Sequence, residues 1–170
     1  MKNLKIKPPL GQAEGIRSCS RLFWDHLMEG ALEQAREAVR QEEVPIGAIL
    51  LDESGERLAA AYNQPRGLAD PTAHAEIIVL RQAARELNNY RLAGTTLVVT
   101  VEPCLMCAGA IIQARVTRVV FGAFDPKAGA LGSLYDLSRD QRLNHRLEVI
   151  SGIREAECRE LIQGFFQARR

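Results

Sequence analysis

The chain has 170 residues, 46% of them hydrophobic, which suits one folded domain with a sizeable buried core. Its 22 Lys and Arg residues and 21 Asp and Glu residues give a net charge of +1, so overall charge argues neither for nor against a nucleic-acid partner. Because the sequence contains no apolar run of about 18 residues, a membrane span is not expected, and we predict a cytoplasmic protein.

The first 20 residues are predicted to be a flexible extension that precedes the domain. They include prolines, glycines and lysines, but no apolar stretch long enough for the core of a signal peptide. We assign the extension no role and expect the domain to occupy residues 21–170.

The first half of the domain is predicted to contain two helices and a hairpin. Apolar residues recur at steps of three and four over 21–41, which indicates an amphipathic helix ended by Pro45. The segments IGAILL and RLAAAY are typical of two antiparallel strands joined by a turn at 52–56. The loop NQPRGLADP should then lead into a helix that is capped by Thr72 and reaches about Leu87.

The second half alternates strands and helices. The segment TTLVVTV predicts a buried strand, and Pro103 suits the first position of a helix that runs through CLMCAGAII. VTRVVFG predicts another strand. The glycine-rich loop DPKAGALGS and a polar stretch separate it from a short strand over 147–150 and a final helix over about 154–168. This order predicts an α/β domain with a mixed sheet of about five strands and helices on its faces.

Two short motifs, HAE at 74–76 and PCLMC at 103–107, each follow a loop or strand and open a predicted helix. Cys104 and Cys107 are three residues apart, so both sulfurs can reach one ion, and the positive end of the helix dipole favours their thiolate form. His74 completes a set of three zinc ligands. Three ligands leave one tetrahedral position for a water whose pKa the metal lowers to about 7, so the motifs predict a catalytic zinc centre.

Glu76 is predicted to act on the water and not on the metal. In an ideal helix it would point about 200° away from His74, so we expect His74 in an irregular first turn and Glu76 reaching the water. A carboxylate in that position can take a proton from the water and deliver it to a ring nitrogen and then to a leaving amine.

Other interpretations of these residues stay open. A histidine such as His74 is often a core or capping residue, and Cys104 with Cys107 could form a redox pair. A redox pair would explain neither His74 nor Glu76. A zinc-stabilised RNA-binding module without catalysis would leave Glu76 incidental. We interpret Cys19 and Cys158 as structural or incidental.

The combination of H-x-E with P-C-x-x-C is the signature of zinc nucleobase deaminases. From about Trp24 to Arg170 the chain resembles the bacterial tRNA adenosine deaminases of the cytidine and deoxycytidylate deaminase superfamily. The matching stretches are EVPIGAIL, NQPRGLADPTAHAE, NYRLAGTTLVVTVEPCLMCAGAI, RVVFGAFDPKAGALGSLYDL and NHRLEVISGI. The resemblance implies the three-layer fold of cytidine deaminases, one zinc ion per subunit on His74, Cys104 and Cys107, and a homodimer.

The same resemblance implies the reaction: hydrolytic deamination of adenosine to inosine at the wobble position of a tRNA anticodon, most often that of an arginine tRNA. A zinc-activated water would add to C6, Glu76 would shuttle protons, and ammonia would leave. The base must be unstacked, which costs least in a single-stranded loop. The resemblance also implies a set of substrate contacts, namely Asn63, the backbone N–H of Ala75, Asp125, Lys127, Asn144 and Phe166.

Some of these contacts have a simpler interpretation. The loop around Asn63 suggests an ordinary turn residue. Phe165 and Phe166 are adjacent on a predicted helix, so at least one of them should face the core. A deaminase of free guanine or cytosine compounds shares the zinc motif and is the alternative enzyme, although the segments outside the motif favour the tRNA enzyme.

Overall fold

A computed structural model describes residues 21–169. The predicted extension at 1–20, which includes Cys19, and the last residue, Arg170, lie outside the described residues. One mixed sheet has the strand order β2-β1-β3-β4-β5. Its strands are β1 (Gly47–Leu51), β2 (Arg57–Tyr62), β3 (Thr96–Val101), β4 (Arg118–Ala123) and β5 (Glu148–Ile150). The α-helices of the described part are α1 (Arg21–Arg40), α2 (Ala75–Glu86), α3 (Leu105–Gln113) and α4 (Glu155–Gln167), with a short 3-10 helix at Leu137–Arg139.

The sheet combines antiparallel and parallel pairing. β1 pairs antiparallel with β2 and with β3, so that Ile49 lies opposite Ala60 on one side and Val98 on the other. β3, β4 and β5 run parallel to one another. At the predicted hairpin turn, the Asp52 carboxylate accepts hydrogen bonds from the backbone N–H groups of Ser54 and Glu56, and Gly55 takes a positive φ of 83°. The predicted mixed sheet and hairpin are confirmed.

Helices cover both faces of the sheet and divide the core in two. On one face α2 and α3 pack against side chains such as Leu50, Leu97 and Phe121. On the other face α1 and α4 pack against Ile49 and Val98, the neighbours of those side chains along the strands. Alternate residues of each strand therefore point into different cores, as the two-residue period of a strand requires. The predicted three-layer α/β fold is confirmed. None of the helices within 21–169 is both long enough and apolar enough to span a bilayer.

The first helix ends within one residue of the predicted position, but Pro45 does not end it. α1 stops at Arg40, and Glu42 adopts a left-handed conformation with a φ of 59°. The N–H of Glu43 donates to the carbonyl of Ala38, and the N–H of Glu42 donates to that of Val39. This is a Schellman motif, which satisfies the last carbonyls of the helix before the chain reaches the proline.

Two predicted helix starts are also wrong. α2 begins at Ala75, and the Thr72 hydroxyl donates to the Asp70 carboxylate at 2.7 Å and does not cap a helix. α3 begins at Leu105, two residues after Pro103. Thr72 stabilises the preceding turn and Pro103 precedes the cap position, so neither residue begins a helix. The cap positions fall on two of the predicted zinc ligands.

Candidate active site

His74 and Cys104 occupy equivalent positions, each immediately before the first residue of a helix. The backbone of His74 is extended, with φ −72° and ψ 153°, and so is that of Cys104, with φ −71° and ψ 173°. The sequence predicts His74 within an irregular first turn, whereas the structure places it just outside the helix. An extended cap residue directs its side chain differently from the helical residues that follow it. His74 and Glu76 can therefore serve one site even though they are only two residues apart.

The three predicted ligands meet at one point. Nδ1 of His74 lies 3.5 Å from Sγ of Cys107 and 3.7 Å from Sγ of Cys104, and the three ligand atoms all lie within 4.8 Å of one another. Tetrahedral zinc, with bonds of about 2.3 Å to sulfur and about 2.05 Å to nitrogen, requires an N to S separation of about 3.6 Å. The donor set and its spacing therefore fit a zinc ion.

The protonation of the cluster also suits a metal. Hydrogen bonding from Cys107 lowers the pKa of Cys104 to about 4, so that a thiolate is present at neutral pH. Its interaction with Cys104, together with burial, raises the pKa of Cys107. The hydrogen bond to Cys104 raises the pKa of His74. The Cys104 sulfur is therefore negatively charged, and the Cys107 sulfur lies close enough to bind the same cation.

Glu76 is buried beside this cluster with one carboxylate oxygen unpaired. The residue is 3% exposed, and its Oε2 has no hydrogen-bond partner in the described part of the chain. Burial raises the pKa of its carboxyl and outweighs the nearby charge of His74, which lowers the pKa; the charge of Cys104 raises it further. Burying an unpaired carboxyl is costly, so such a group points to a functional requirement. A carboxyl with a raised pKa holds a proton more tightly, which suits a group that both accepts and releases one during a reaction.

Asn63 holds the start of α2 in place. Its side chain is buried, and Oδ1 accepts a hydrogen bond of 2.8 Å from the backbone N–H of Ala75. This bond fixes the amide orientation, because only the oxygen can accept, and it leaves the Nδ2 donors for other partners. The two groups predicted to contact the base are thus neighbours, although in this structure the Ala75 N–H is donated to Asn63.

Asp125 and Lys127 lie in the loop after β4. The Asp125 carboxylate accepts from the backbone N–H groups of Lys127 and Ala128, at 2.9 and 3.3 Å, and the Lys127 side chain is exposed. The loop also contacts the metal-ligand segment, since the Ala130 N–H donates to the carbonyl of Pro103 at 2.9 Å. Both predicted RNA contacts are therefore attached to the strand end that leads into Cys104.

Asn144 and Phe166 lie outside the ligand cluster. Arg115 donates to both the carbonyl and the side-chain oxygen of Asn144, at 3.1 and 2.7 Å. Arg115 follows the end of α3, so Asn144 is separated from Cys104 by a helix of nine residues, about 14 Å long. Phe166 is 51% exposed whereas Phe165 is 8% exposed, which confirms that one of the pair faces the core.

Two buried carboxylates escape sequence analysis. Glu102, directly before the PCLMC segment, is 3% exposed, as is Glu43. Glu102 accepts hydrogen bonds from the loop after β4, and Glu43 accepts one of 2.7 Å from the N–H of Gly67 in the loop that follows Asn63. The only signal in the sequence is a carboxylate at the edge of a motif, and such residues are usually solvated.

Comparisons with known proteins agree with this geometry. The family model for the cytidine and deoxycytidylate deaminase zinc-binding region matches residues 24–123. The chain is 47% identical over 148 residues to a tRNA-specific adenosine deaminase of Haemophilus influenzae, covering 87% of this chain and 86% of the relative. It is 46% identical to the tRNA-specific adenosine deaminase of Bacillus subtilis, covering 84% and 88%. A solved structure from a study of A-to-I editing by tRNA deaminases at the wobble position of transfer RNA matches with a TM-score of 0.77 and 46% identity, covering 80% of this chain and 98% of that one.

Proposed function

The chain belongs to the zinc-binding cytidine and deoxycytidylate deaminase family, and on this premise we propose that it converts adenosine to inosine at the wobble position of a tRNA anticodon, with an arginine tRNA as substrate. As a member it is a zinc-dependent deaminase, that is, a hydrolase. The observation that carries the choice of substrate is 46–47% identity, along more than four fifths of both chains, to tRNA-specific adenosine deaminases. A tRNA substrate also agrees with the cytoplasmic location expected from the sequence.

His74, Cys104 and Cys107 would hold the metal, as their convergence and thiolate character support. When bound, zinc supplies a water molecule whose pKa is lowered to about 7. The remaining chemistry falls to the protein. The cluster lies where two helices begin, so its ligands project from rigid elements and need little rearrangement.

We assign Glu76 the proton transfers. Its Oε2 would take one proton from the attacking water and pass it to ring N1 while the water oxygen bonds to C6. A second proton would travel through the same oxygen to the amino group, which leaves as ammonia and yields inosine. A buried carboxyl with an unpaired Oε2 and a raised pKa suits both transfers. Such a group typically contributes about 10² to 10⁴ in rate.

We assign Asn63 the recognition of the base. Its amide is fixed by the Ala75 N–H, so Nδ2 is the end left to donate to an acceptor nitrogen of a purine. The Ala75 N–H, which donates to Asn63 Oδ1 in this structure, would also donate to an acceptor of the bound base. Asp125 and Lys127 would contact the RNA backbone next to Cys104, and Asn144 and Phe166 would act further along the anticodon arm, where an exposed ring can stack.

We also propose a homodimer, in line with the family resemblance. Leu105 and Met106, immediately after the ligand Cys104, are 51% and 38% exposed. A groove of about 410 Å³ lies between α2 and α3 and is lined partly by Leu80, Tyr90 and Leu92. A second copy would cover this apolar surface. Light scattering of the purified protein should give twice the subunit mass of 18.8 kDa; a mass of one subunit would contradict the dimer.

The function is tested with a panel of synthetic anticodon stem-loops that carry adenosine at the wobble position. We expect inosine in the arginine stem-loop and none in a stem-loop whose only adenosines lie in the paired stem. Free guanine, cytidine and adenosine serve as alternative substrates. Turnover of a free base with inert stem-loops would replace the proposal with the small-molecule deaminase, and RNA binding without any ammonia release would replace it with a noncatalytic module.

A further inference from the structure

We propose that Glu102 is a positioning residue: its buried carboxylate fixes the 125–133 loop against the segment that carries Cys104, and thereby sets the substrate contacts beside the metal ligands. This inference rests on the proposed function for its effect on RNA, but the contact itself is independent of it. Among the described residues the side-chain hydrogen bonds of Glu102 all go to this loop and none to a ligand atom, so its action is assigned to the loop.

The carboxylate is bonded through both oxygens. Oε1 accepts from the backbone N–H groups of Leu131, at 2.9 Å, and Ser133, at 3.0 Å. Oε2 accepts from the N–H of Asp125, at 3.1 Å, and from the Ser133 hydroxyl. One side chain thus holds both ends of the loop, and three of its bonds satisfy backbone donors that would otherwise lack a partner.

The loop is wrapped closely around this side chain. A Cβ atom on Gly129 would lie 2.4 Å from Cδ of Glu102 and 2.6 Å from the carbonyl oxygen of Asp125. Only glycine allows that approach, because the second neighbour is backbone and cannot turn aside. Gly129 also forms a β-bridge with Cys104. The first glycine of the DPKAGALGS segment therefore has a defined role in packing against the carboxylate.

The position of Glu102 in the chain makes this contact consequential. It is the last residue before Pro103, whose carbonyl accepts from the Ala130 N–H at 2.9 Å. The loop is consequently attached on both sides of the peptide that enters Cys104. Asp125 lies at one end of the loop, and its own N–H is one of the bonded donors. If the carboxylate is lost, the part of the loop that carries Asp125 and Lys127 should move away from the ligand cluster.

The test compares Glu102→Gln with the wild-type protein. A glutamine has one acceptor oxygen in place of two, so at least one backbone N–H of the loop must face the amide NH₂ group. We expect hydrogen exchange at the amides of Asp125, Leu131 or Ser133 to become at least tenfold faster, and the KM for the stem-loop to rise about tenfold with kcat changed less than threefold. Zinc content should stay at the wild-type level.

Two further variants keep the inference testable if Glu102→Gln does not fold. Gly129→Ala disturbs the same contact from the loop side and should give the same exchange and KM pattern. Ser133→Ala removes only the hydroxyl bond and should give a smaller change in the same direction. The matched control is Glu148→Gln, a half-buried carboxylate that bonds Arg118 at 2.7 Å at the other end of the parallel strands. It should lower thermal stability while leaving KM and the loop amides unchanged.

Unchanged hydrogen exchange at the loop amides in Glu102→Gln would overturn the inference that Glu102 fixes the 125–133 loop. Faster exchange with an unchanged KM overturns its role in positioning substrate contacts. A KM shift of the same size in Glu148→Gln would show a general loss of stability and also overturn it. If the wild-type protein does not deaminate any stem-loop, the proposed function fails, but the exchange experiment still decides whether Glu102 holds the loop.

Discussion

The charged side chains on the two faces of the sheet differ in burial and in pairing. Between α1 and α4, Arg36 donates to Glu29 at 2.7 Å and to Glu157 at 2.9 Å, and Arg154 bonds both of these carboxylates. All four side chains are partly exposed, and every charge has an opposite partner. On the other face, where α2 and α3 begin, Glu76 is 3% exposed and one of its oxygens has no partner in the described residues.

This difference separates stabilisation from function. The charges of the α1 and α4 layer stay in contact with water and offset one another, which is a low-cost arrangement with a small gain. The region around His74 keeps a buried carboxyl with one unpaired oxygen next to two cysteines and an imidazole, which lowers stability unless a cation and a substrate complete the site. Mutations in the first region should change stability, and mutations in the second should change activity.

Removal of the metal should have the largest effect, since the whole site depends on it. We expect a strong chelator to abolish deamination and added zinc to restore it. Without zinc, Cys104 should react with iodoacetamide at pH 7, because its pKa is about 4. Cys158 should stay unmodified, because it is 1% exposed and burial raises its pKa to about 12. Peptide mass spectrometry measures both sites in one sample, and equal labelling of Cys104 with and without zinc would contradict its role as a ligand.

Glu76→Gln should have the next largest effect. It keeps the shape of the side chain but cannot accept a proton, so the rate of the chemical step should fall by about 10² to 10⁴. Stability should not fall, since the change replaces a carboxyl whose buried Oε2 has no partner among the described residues. Single-turnover kinetics, metal analysis and thermal unfolding on the same preparation separate the three quantities. A rate within tenfold of wild type would remove Glu76 from the mechanism.

The adjacent phenylalanines sharpen the comparison on one helix. Phe165→Ala should lower the free energy of unfolding by about 3 kcal/mol, because the ring is buried. Phe166→Ala should leave stability within about 0.5 kcal/mol of wild type, because its ring is half exposed, and should raise the KM for the stem-loop severalfold. Denaturant unfolding and steady-state kinetics on the pair measure both effects. Equal stability losses would show that both rings belong to the core.

Residue type and local spacing explain why much of this arrangement can be predicted from sequence. The ligands are recognisable because zinc chemistry limits them to a few residue types, and a separation of three residues places Cys104 and Cys107 on one side of a helix start. Apolar periodicity likewise predicts α1, the hairpin and the buried β3. The predicted helix starts are wrong because Thr72 and Pro103 are good local start signals, whereas the observed starts at Ala75 and Leu105 let the cap residues His74 and Cys104 turn toward each other.

Contacts between distant parts of the chain explain what sequence analysis misses. The partners of Glu102 lie 23 to 31 residues further along, and no pattern around position 102 indicates them. The end of α1 is predicted within one residue, but its cause is not: a left-handed Glu42, and not Pro45, closes the helix, at a position where glycine is the usual signal. Fold class and ligand identity are local properties of this sequence, but the placement of its loops is not.

The smallest expected effect is on stability, and it comes from breaking ion pairs in the layer formed by α1 and α4. Arg154→Ala removes a guanidinium that bonds Glu29 and Glu157, while Arg36 remains to neutralise both. Because these side chains are 25–41% exposed, the loss of stability should be no more than about 1 kcal/mol and should shrink at high salt. Arg159→Ala, which breaks a more exposed pair with Glu155 on the same helix, should lower the free energy of unfolding by about 0.3–0.5 kcal/mol.

Neither variant should change kcat/KM for the stem-loop, because no described contact connects either arginine to the ligand cluster. Denaturant unfolding at two salt concentrations, with kinetics under the lower one, decides the matter: a drop in kcat/KM beyond threefold for Arg154→Ala would mean that the two faces of the sheet are coupled.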